Sequence, residues 1–539
     1  MNQKKNLSGQ QEKDISRRIA IRLLTAGTAF MAFPHWLQAG LFQPVYRGNE
    51  GMDESGVMPS PEEDVQFMVF TGQTSNISQN PGAFSCKVSF DMAALQAGNT
   101  AVAQVILPIK VSGEGTPSLR LFRLDASGAV QFVSSVTLSG KASTSAIFNI
   151  TDFYNEHAPL NTVVFLIKSV PGPTDTIVIS DNNGISLRVN KEKHPRYDLR
   201  EILLPVWVSK YMMNETVLPV SKGGNVPEAT LLFKPAGKVI IRNYALNITY
   251  KEGRDYILKG RIIRLTANSS IPFVTEKQLY PDSENGALPV WKTWKGGYLL
   301  ATANFFNDHQ SAVSYKHRDS WTGPVPSSNN CELVKTNEKL KRGLPLKVVL
   351  FGDSISEGAD ASGFFGKPPY VPGWGELLMQ DLRQRFTSKI NFVNSSKGGA
   401  SAGWGVKMAP FFVVPDKPDL CIIAFGMNDG GGVSVDKYIE NTLKIMELVK
   451  AANPETEFIL VASMLPNENW RSLEPMSGYL PALKKLESER IAIADVWSMH
   501  QYILKTKLYC EITGNHLNHP NDFMVRIYAQ TVAALFFPV

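Results

Sequence analysis

Four short stretches of this chain hold residue types that together can do chemistry. Phe351-Gly352-Asp353-Ser354 follows one apolar run, and Asn394-Ser395-Ser396-Lys397-Gly398-Gly399 follows a second. Gly426-Met427-Asn428-Asp429 follows a third, and His519-Pro520-Asn521-Asp522 stands near the end of the chain. A serine, a glycine, an asparagine and a histidine are what serine-dependent ester hydrolysis requires. The hydroxyl attacks a carbonyl carbon, and the imidazole takes its proton and later returns one to the leaving alkoxide. Backbone N–H groups and a neutral amide hold the oxyanion, and one such donor contributes about 3 kcal/mol. Taken singly, each stretch is also what a plain turn or helix cap looks like.

The elements around these stretches give them a common place. Leu346 to Phe351, Ile390 to Val393, Leu420 to Phe425, Phe458 to Val461 and Ile491 to Ala494 read as short strands, apolar on both faces. Between them lie helical patterns, with Trp374, Leu377, Leu378, Leu382 and Phe386 on one face and Ile439, Leu443, Met446 and Val449 on another. Residues 521–536 read as a closing helix. Strands alternating with helices predict a covered parallel sheet, in which ligands bind beyond the carboxyl ends of the strands. All four stretches are expected at or near that edge.

In this order the four blocks resemble those of the SGNH (GDSL-type) hydrolases over roughly 345–539, just over a third of the chain. The resemblance implies Ser354 as nucleophile and His519 as base. It implies an oxyanion hole made by the N–H groups of Ser354 and Gly399 and the side chain of Asn428. One position departs from the pattern: three residues before the histidine the family usually has an aspartate, and here stands His516. A backbone carbonyl, the side chain of His516 or Asn518, or Asp495 after the last strand are the candidates to orient His519. The arrangement expected first is a Ser354–His519 dyad supported by a carbonyl, as in some sugar-ester members of the superfamily. Tyr370, Trp374 and Trp404 are aromatic candidates to line a sugar cleft, with core packing as the alternative for the tryptophans. No cofactor is expected. His516 and His519 lack a third ligand nearby, so no metal is expected either.

The whole chain, 539 residues, is too long for one compact domain. Its composition is ordinary for a globular protein, 43% hydrophobic and 19% charged. The predicted fold class is multidomain: two β-sandwich-like domains followed by a three-layer α/β domain of SGNH-hydrolase type with a parallel sheet. Residues 64–182 show alternating apolar strands about every ten residues and read as a β-sandwich. Residues 183–330 read as a second β-rich domain and 340–539 as the hydrolase domain. The Gly-, Pro- and acid-rich stretch 41–63 reads as a linker.

Residues 1–40 read as an export signal. A basic stretch containing Ser16-Arg17-Arg18 precedes the uncharged run Leu23 to Phe33, too short to span a bilayer stably. The paired arginines resemble a twin-arginine signal, with Ala20 where Phe is usual and Arg22 where Lys is usual. This segment holds most of the net charge of +6: Lys4, Lys5, Lys13, Arg17, Arg18 and Arg22 stand against Glu12 and Asp14. No basic body remains to bind nucleic acid, and no other segment is apolar enough for a membrane span. Of four cysteines, Cys421 reads as a buried thiol, and Cys331 and Cys510 are the pair that a disulfide would use. The expected partner is an acylated glycan or another small ester. The expected reaction is removal of an acyl, foremost an acetyl, group. A lipase or thioesterase, or a carbohydrate-binding protein with an inactive hydrolase domain, are the alternatives.

Overall fold

The computed structural model describes residues 199–536, apart from 285–287, 327–331 and Gly366, and ten strands with their nearest neighbours within 67–190. The expected export signal and linker lie outside the described residues.

Toward the C-terminus, five parallel strands form one sheet: Leu346–Gly352, Ile390–Asn394, Leu420–Ala424, Glu457–Ala462 and Ile491–Asp495. The spatial order is second, first, third, fourth, fifth. The first strand is central, with Val349 opposite both Val393 and Cys421. Every residue of Leu420–Ala424 and of Glu457–Ala462 is buried, as a sheet covered on both faces demands. Trp374–Arg385 buries Trp374, Leu377, Leu378 and Leu382, the face expected. In Val435–Ala452 the buried stripe is Tyr438, Thr442, Ile445, Met446 and Val449, and Leu443 lies on the exposed side. Tyr438 decides that rotation, because its ring stacks on Tyr479 and its hydroxyl donates to Phe425 O at 3.1 Å.

Between residues 67 and 190, two five-stranded sheets, antiparallel throughout, enclose a core of Cys86, Val88, Phe90, Val105, Leu107, Leu121, Phe148, Phe165 and Leu187. Cys86, Val88 and Phe90 alternate along one strand and Val105, Leu107 and Ile109 along another, the period-2 signature of a sheet with one covered face. The boundary expected at 182 is displaced. Ser186–Asn190 pairs on one side with Phe67–Thr71 and on the other with Ala103–Ser112, so it belongs to this sheet.

The block after it is not a second free-standing sandwich. Tyr211–Val217, Ser311–His317, Pro235–Asn243 and Thr249–Tyr250 make one sheet. Tyr256–Lys259, Ile262–Leu265, Glu228–Thr230, Val220–Ser221 and Val274–Thr275 make another. Their apolar residues share one cluster with the parallel-sheet region: Met212, Ile241, Ile263 and Tyr315 pack with Met499, Ile503, Phe523, Met524 and Ile527. The closing helix, Asp522–Ala533, is buried all round for this reason. Val525, Tyr528, Ala529 and Val532 face the sheet, and Phe523, Met524 and Ile527 face the β-block. A wholly buried ion cluster crosses the same seam. Lys507 Nζ lies 3.1 Å from Glu215 Oε1 and 3.1 Å from Glu511 Oε1 and donates to Thr230 O at 2.9 Å. Cys510 and Cys421 are buried free thiols, and Cys331, the other half of the bridge considered from the sequence, lies outside the described residues.

Candidate active site

Ser354 begins a single helical turn, Ser354–Glu357, directly beyond the central strand. Asp353 caps that turn by accepting from Ile355 N at 3.0 Å. Gly352 is the residue that lets the turn close, because a Cβ there would sit 2.5 Å from Ala424 O and 2.6 Å from Ser356 Oγ. Burial raises the Asp353 carboxyl to about 7. Asp353 therefore works as a cap that shapes the turn.

The Ser354 hydroxyl lies 2.8 Å from His519 Nε2, and His519 Nδ1 lies 2.7 Å from Asp360 Oδ2. Asp360 was not among the residues that the sequence singled out. It sits in the left-handed backbone region (φ 68°), six residues after the serine, and its side chain is 4% exposed. The His519 loop closes onto it at Gly514, where a Cβ would stand 2.5 Å from Asp360 Cβ. Burial acts to lower the His519 pKa, but the charge and hydrogen bond of Asp360 outweigh it, and the net shift is upward. An imidazole between a hydroxyl and a carboxylate at these distances can take up the hydroxyl proton while its own charge is balanced.

The three side chains expected to orient His519 lie elsewhere. His516 is buried with Phe306, Tyr280 and Tyr509 around its ring, and Leu300 O is 3.1 Å from its Nδ1. That burial lowers its pKa to about 4, which keeps it neutral. Asn518 accepts from Asn515 Nδ2 at 3.0 Å. Asp495 caps the helix Val496–Ile503 through Ser498 N and binds Lys484 Nζ at 2.8 Å. Carbonyl support is likewise not what His519 has, since Asp360 occupies its Nδ1.

On the oxyanion side, Gly399 takes φ 75° and no atom lies within 4 Å of where its Cβ would be. A Cβ on the neighbouring Gly398 would lie 3.2 Å from Glu357 Oε2 and 4.0 Å from Ser354 Cβ, so the loop borders the serine. Asn428 Nδ2 donates to Ala400 O at 2.9 Å, which ties the amide to this loop and leaves it a second N–H. Both oxygens of Asp429 lie 3.0 Å from Ala402 N and fix the start of helix Ala402–Phe412.

Two of the aromatic candidates belong to the core. Trp374 is fully buried and stacks on Tyr528 at 5.8 Å. Trp404 packs against Phe351, Phe412 and Phe425. Helical periodicity put Trp374 on the buried face of its helix, and that packing outweighs its closeness in sequence to the serine. Tyr370 is half-buried, and its N–H donates to Lys367 O at 2.9 Å. Among the described residues no group of three or more His, Cys, Asp or Glu could hold a metal ion, and no helix is long and apolar enough to cross a membrane.

Residues 350–522 match the family model of the GDSL-like lipase/acylhydrolase family. No curated protein matches the chain significantly. Among solved structures the chain is similar to a member of the lipolytic protein G-D-S-L family from Veillonella parvula DSM 2008. That match has 20% identity and TM-score 0.30 and covers 36% of this chain and 99% of that one. It is also similar to a catalytic mutant of an acetylxylan esterase from Geobacillus stearothermophilus (20% identity, TM-score 0.31, 36% and 95% covered). A third is a two-domain esterase active on acetylated mannans (20% identity, TM-score 0.33), where the match spans 40% of this chain and about half, 54%, of that one. Residues 350–522 carry a GDSL-like lipase/acylhydrolase domain by the family match, and the chain is a carboxylic ester hydrolase.

Proposed function

We propose that the chain removes acyl groups, foremost acetyl, from a carbohydrate by a serine mechanism in which Asp360, His519 and Ser354 act in line. The observation that carries this reading is the pair of contacts at 2.7 Å and 2.8 Å joining the three side chains. Ser354 Oγ attacks the ester carbonyl as its proton passes to His519 Nε2. The oxyanion is held by the N–H groups of Ser354 and Gly399 and by Asn428 Nδ2. On collapse, the sugar oxygen leaves with the proton from His519, and the acyl group remains on Ser354. Water, deprotonated by His519, then attacks the acyl-enzyme, and the acid departs as the proton returns to Ser354. The 2.7 Å contact of Asp360 with His519 supports this reading over that of an inactive domain. Export of the mature protein, supported by the paired arginines and the apolar run in residues 1–40, is part of the same proposal.

A serine-directed fluorophosphonate tests the assignment. The expected result is a single adduct, mapped to Ser354 by peptide mass spectrometry, that grows in step with loss of acetate-ester turnover. An adduct elsewhere, or full activity in labelled protein, refutes it. For Asn428→Ala, kcat should fall by about 10²-fold to 10³-fold with little change in KM, because an amide that binds the oxyanion acts on the transition state. Steady-state kinetics on a chromogenic acetate ester would show this, and a pure KM effect would place Asn428 against the substrate instead.

A further inference from the structure

The β-block reaches the edge of the active site through a hairpin, Val290–Lys292 and Tyr298–Leu300. Its turn is tightly made: Thr293 N and Gly297 O are 3.0 Å apart, Thr293 Oγ1 donates to Gly296 O at 2.7 Å, and Gly296 and Gly297 take φ near 88° and 86°. Trp294 stands at the tip and is 55% exposed, yet its indole is fixed, because Nε1 donates to Glu468 O at 2.9 Å. Lys295 Nζ lies 5.1 Å from the ring centroid.

Glu468 belongs to the loop after the fourth strand of the parallel sheet, and that loop touches both halves of the active site. Asn467 N donates to Leu517 O and Asn467 Nδ2 to His516 O, each at 2.8 Å, next to the His519 turn. Arg471 donates to Met427 O at 2.9 Å, beside Asn428. The Arg471 guanidinium lies 3.5 Å over the ring of Trp470, whose edge meets Trp291 of the hairpin at 6.4 Å. Among the described residues no carboxylate pairs with Arg471. A half-buried guanidinium with donors to spare, next to rigid aromatic faces, is a surface made for a polyhydroxylated ring.

We infer that Trp294, Trp470 and Arg471 form a subsite for a pyranose residue of a polysaccharide chain, one that couples the hairpin of the β-block to the acyl-transfer site. This rests on the esterase reading above and names the part of its substrate that lies outside the acyl group. A sugar ring presents axial C–H groups to stack on the indole of Trp294 and hydroxyls to accept from Arg471. An alkyl chain has no acceptor for Arg471.

The test uses the full chain and partially acetylated xylo- and manno-oligosaccharides of five or six sugars, with 4-nitrophenyl acetate as the small ester. The ratio of kcat/KM on oligosaccharide to kcat/KM on 4-nitrophenyl acetate should fall about tenfold in Trp294→Ala, the scale of one lost aromatic stack. The loss should lie mainly in KM. Arg471→Lys should lower the same ratio, because the planar fork is lost while the charge stays. Phe273→Ala, at an exposed position of the β-block outside this rim, should leave the ratio where it is. Quenching of tryptophan fluorescence by the deacetylated oligosaccharides gives a binding readout that needs no turnover. The subsite is overturned if Trp294→Ala leaves the ratio unchanged, or if none of these oligosaccharides binds to protein that turns over the small ester. Failure of the small ester itself, with oligosaccharide binding that Trp294→Ala weakens, would instead sink the esterase mechanism and keep the subsite.

Discussion

Asp360→Asn should lower kcat on any ester by about 10³-fold to 10⁴-fold while leaving the fold in place. The carboxylate does two things for His519. It accepts from Nδ1, which presents Nε2 as the basic nitrogen to Ser354, and its charge balances the imidazolium formed during attack. Asparagine has nearly the same shape but no charge, and its amide can turn an N–H toward Nδ1 and so select the wrong tautomer. Losses near 10⁴-fold are known for this substitution in serine hydrolases of unrelated fold. The pH profile adds a separate check. His519 acts when neutral, and the net upward shift of its pKa places the acid limb of kcat/KM above the ordinary histidine value near 6.5. Without the charge of Asp360, the lowering effect of burial is left unopposed by it, so the limb in Asp360→Asn should move to lower pH. By contrast His516→Ala should cost far less than the Asp360 change, because His516 is neutral and bonded to Leu300 O, away from the reacting groups. An Asp360→Asn enzyme within tenfold of the parent, with its acid limb unmoved, would show that the 2.7 Å contact does not serve the reaction.

Asp360 also marks where the sequence stops being readable. The parallel sheet was legible because its strands are apolar on both faces, and the blocks holding Ser354 and His519, whose side chains the fold brings to 2.8 Å, stand out by residue type. The carboxylate was not, because nothing in the spacing of Gly358-Ala359-Asp360 says that residue 360 turns back toward a loop 159 positions later. That return depends on a left-handed backbone at Asp360 and on the missing side chain at Gly514, both products of tertiary packing. A usable clue was available in the carboxylates near the nucleophile: Asp353, Glu357 and Asp360 all lie within six residues of Ser354. The β-region failed for a different reason. A turn-rich sequence at Asp181-Asn182-Asn183-Gly184 reads equally as a domain boundary or as a link between strands. Thr176–Ile179 and Ser186–Asn190 on either side of it both pair with Ala103–Ser112. The core shared across the seam was invisible, since the apolar residues of a β-block look the same whether they face one another or a helix of a different region.

That shared core leads to an expected result for the fragment 340–539: it should not fold and should hydrolyse neither small nor polymeric esters, although Ser354, Asp360 and His519 all lie within it. Removing the β-block uncovers Met499, Ile503, Ile512, Phe523, Met524 and Ile527, all fully or almost fully buried in the intact chain. At about 1.5–3 kcal/mol for each apolar side chain, the loss is on the order of 10 kcal/mol, as large as the whole stability of a typical domain. Lys507 and Glu511 would lose Glu215, and the His519 loop would lose its props. Gln310 Nε2 donates to both Cys510 O and Thr513 O at 2.8 Å, and Gln310 Oε1 accepts from Asn521 Nδ2 at 3.0 Å. The fragment 199–539 should behave differently, because among the described residues the polar contacts of the sandwich with the α/β region come from Arg120. It binds Asp416 at 3.0 Å and donates to Phe412 O at 2.9 Å and to Ser395 Oγ at 3.3 Å, contacts worth about 1 kcal/mol each. Near-ultraviolet circular dichroism, thermal melting and acetate-ester turnover of both fragments against the full chain would decide the matter. A soluble, cooperatively melting and active 340–539 would mean that the seam only rests against a self-sufficient hydrolase domain. An unfolded 340–539 beside an active 199–539 would make the β-block part of the catalytic unit.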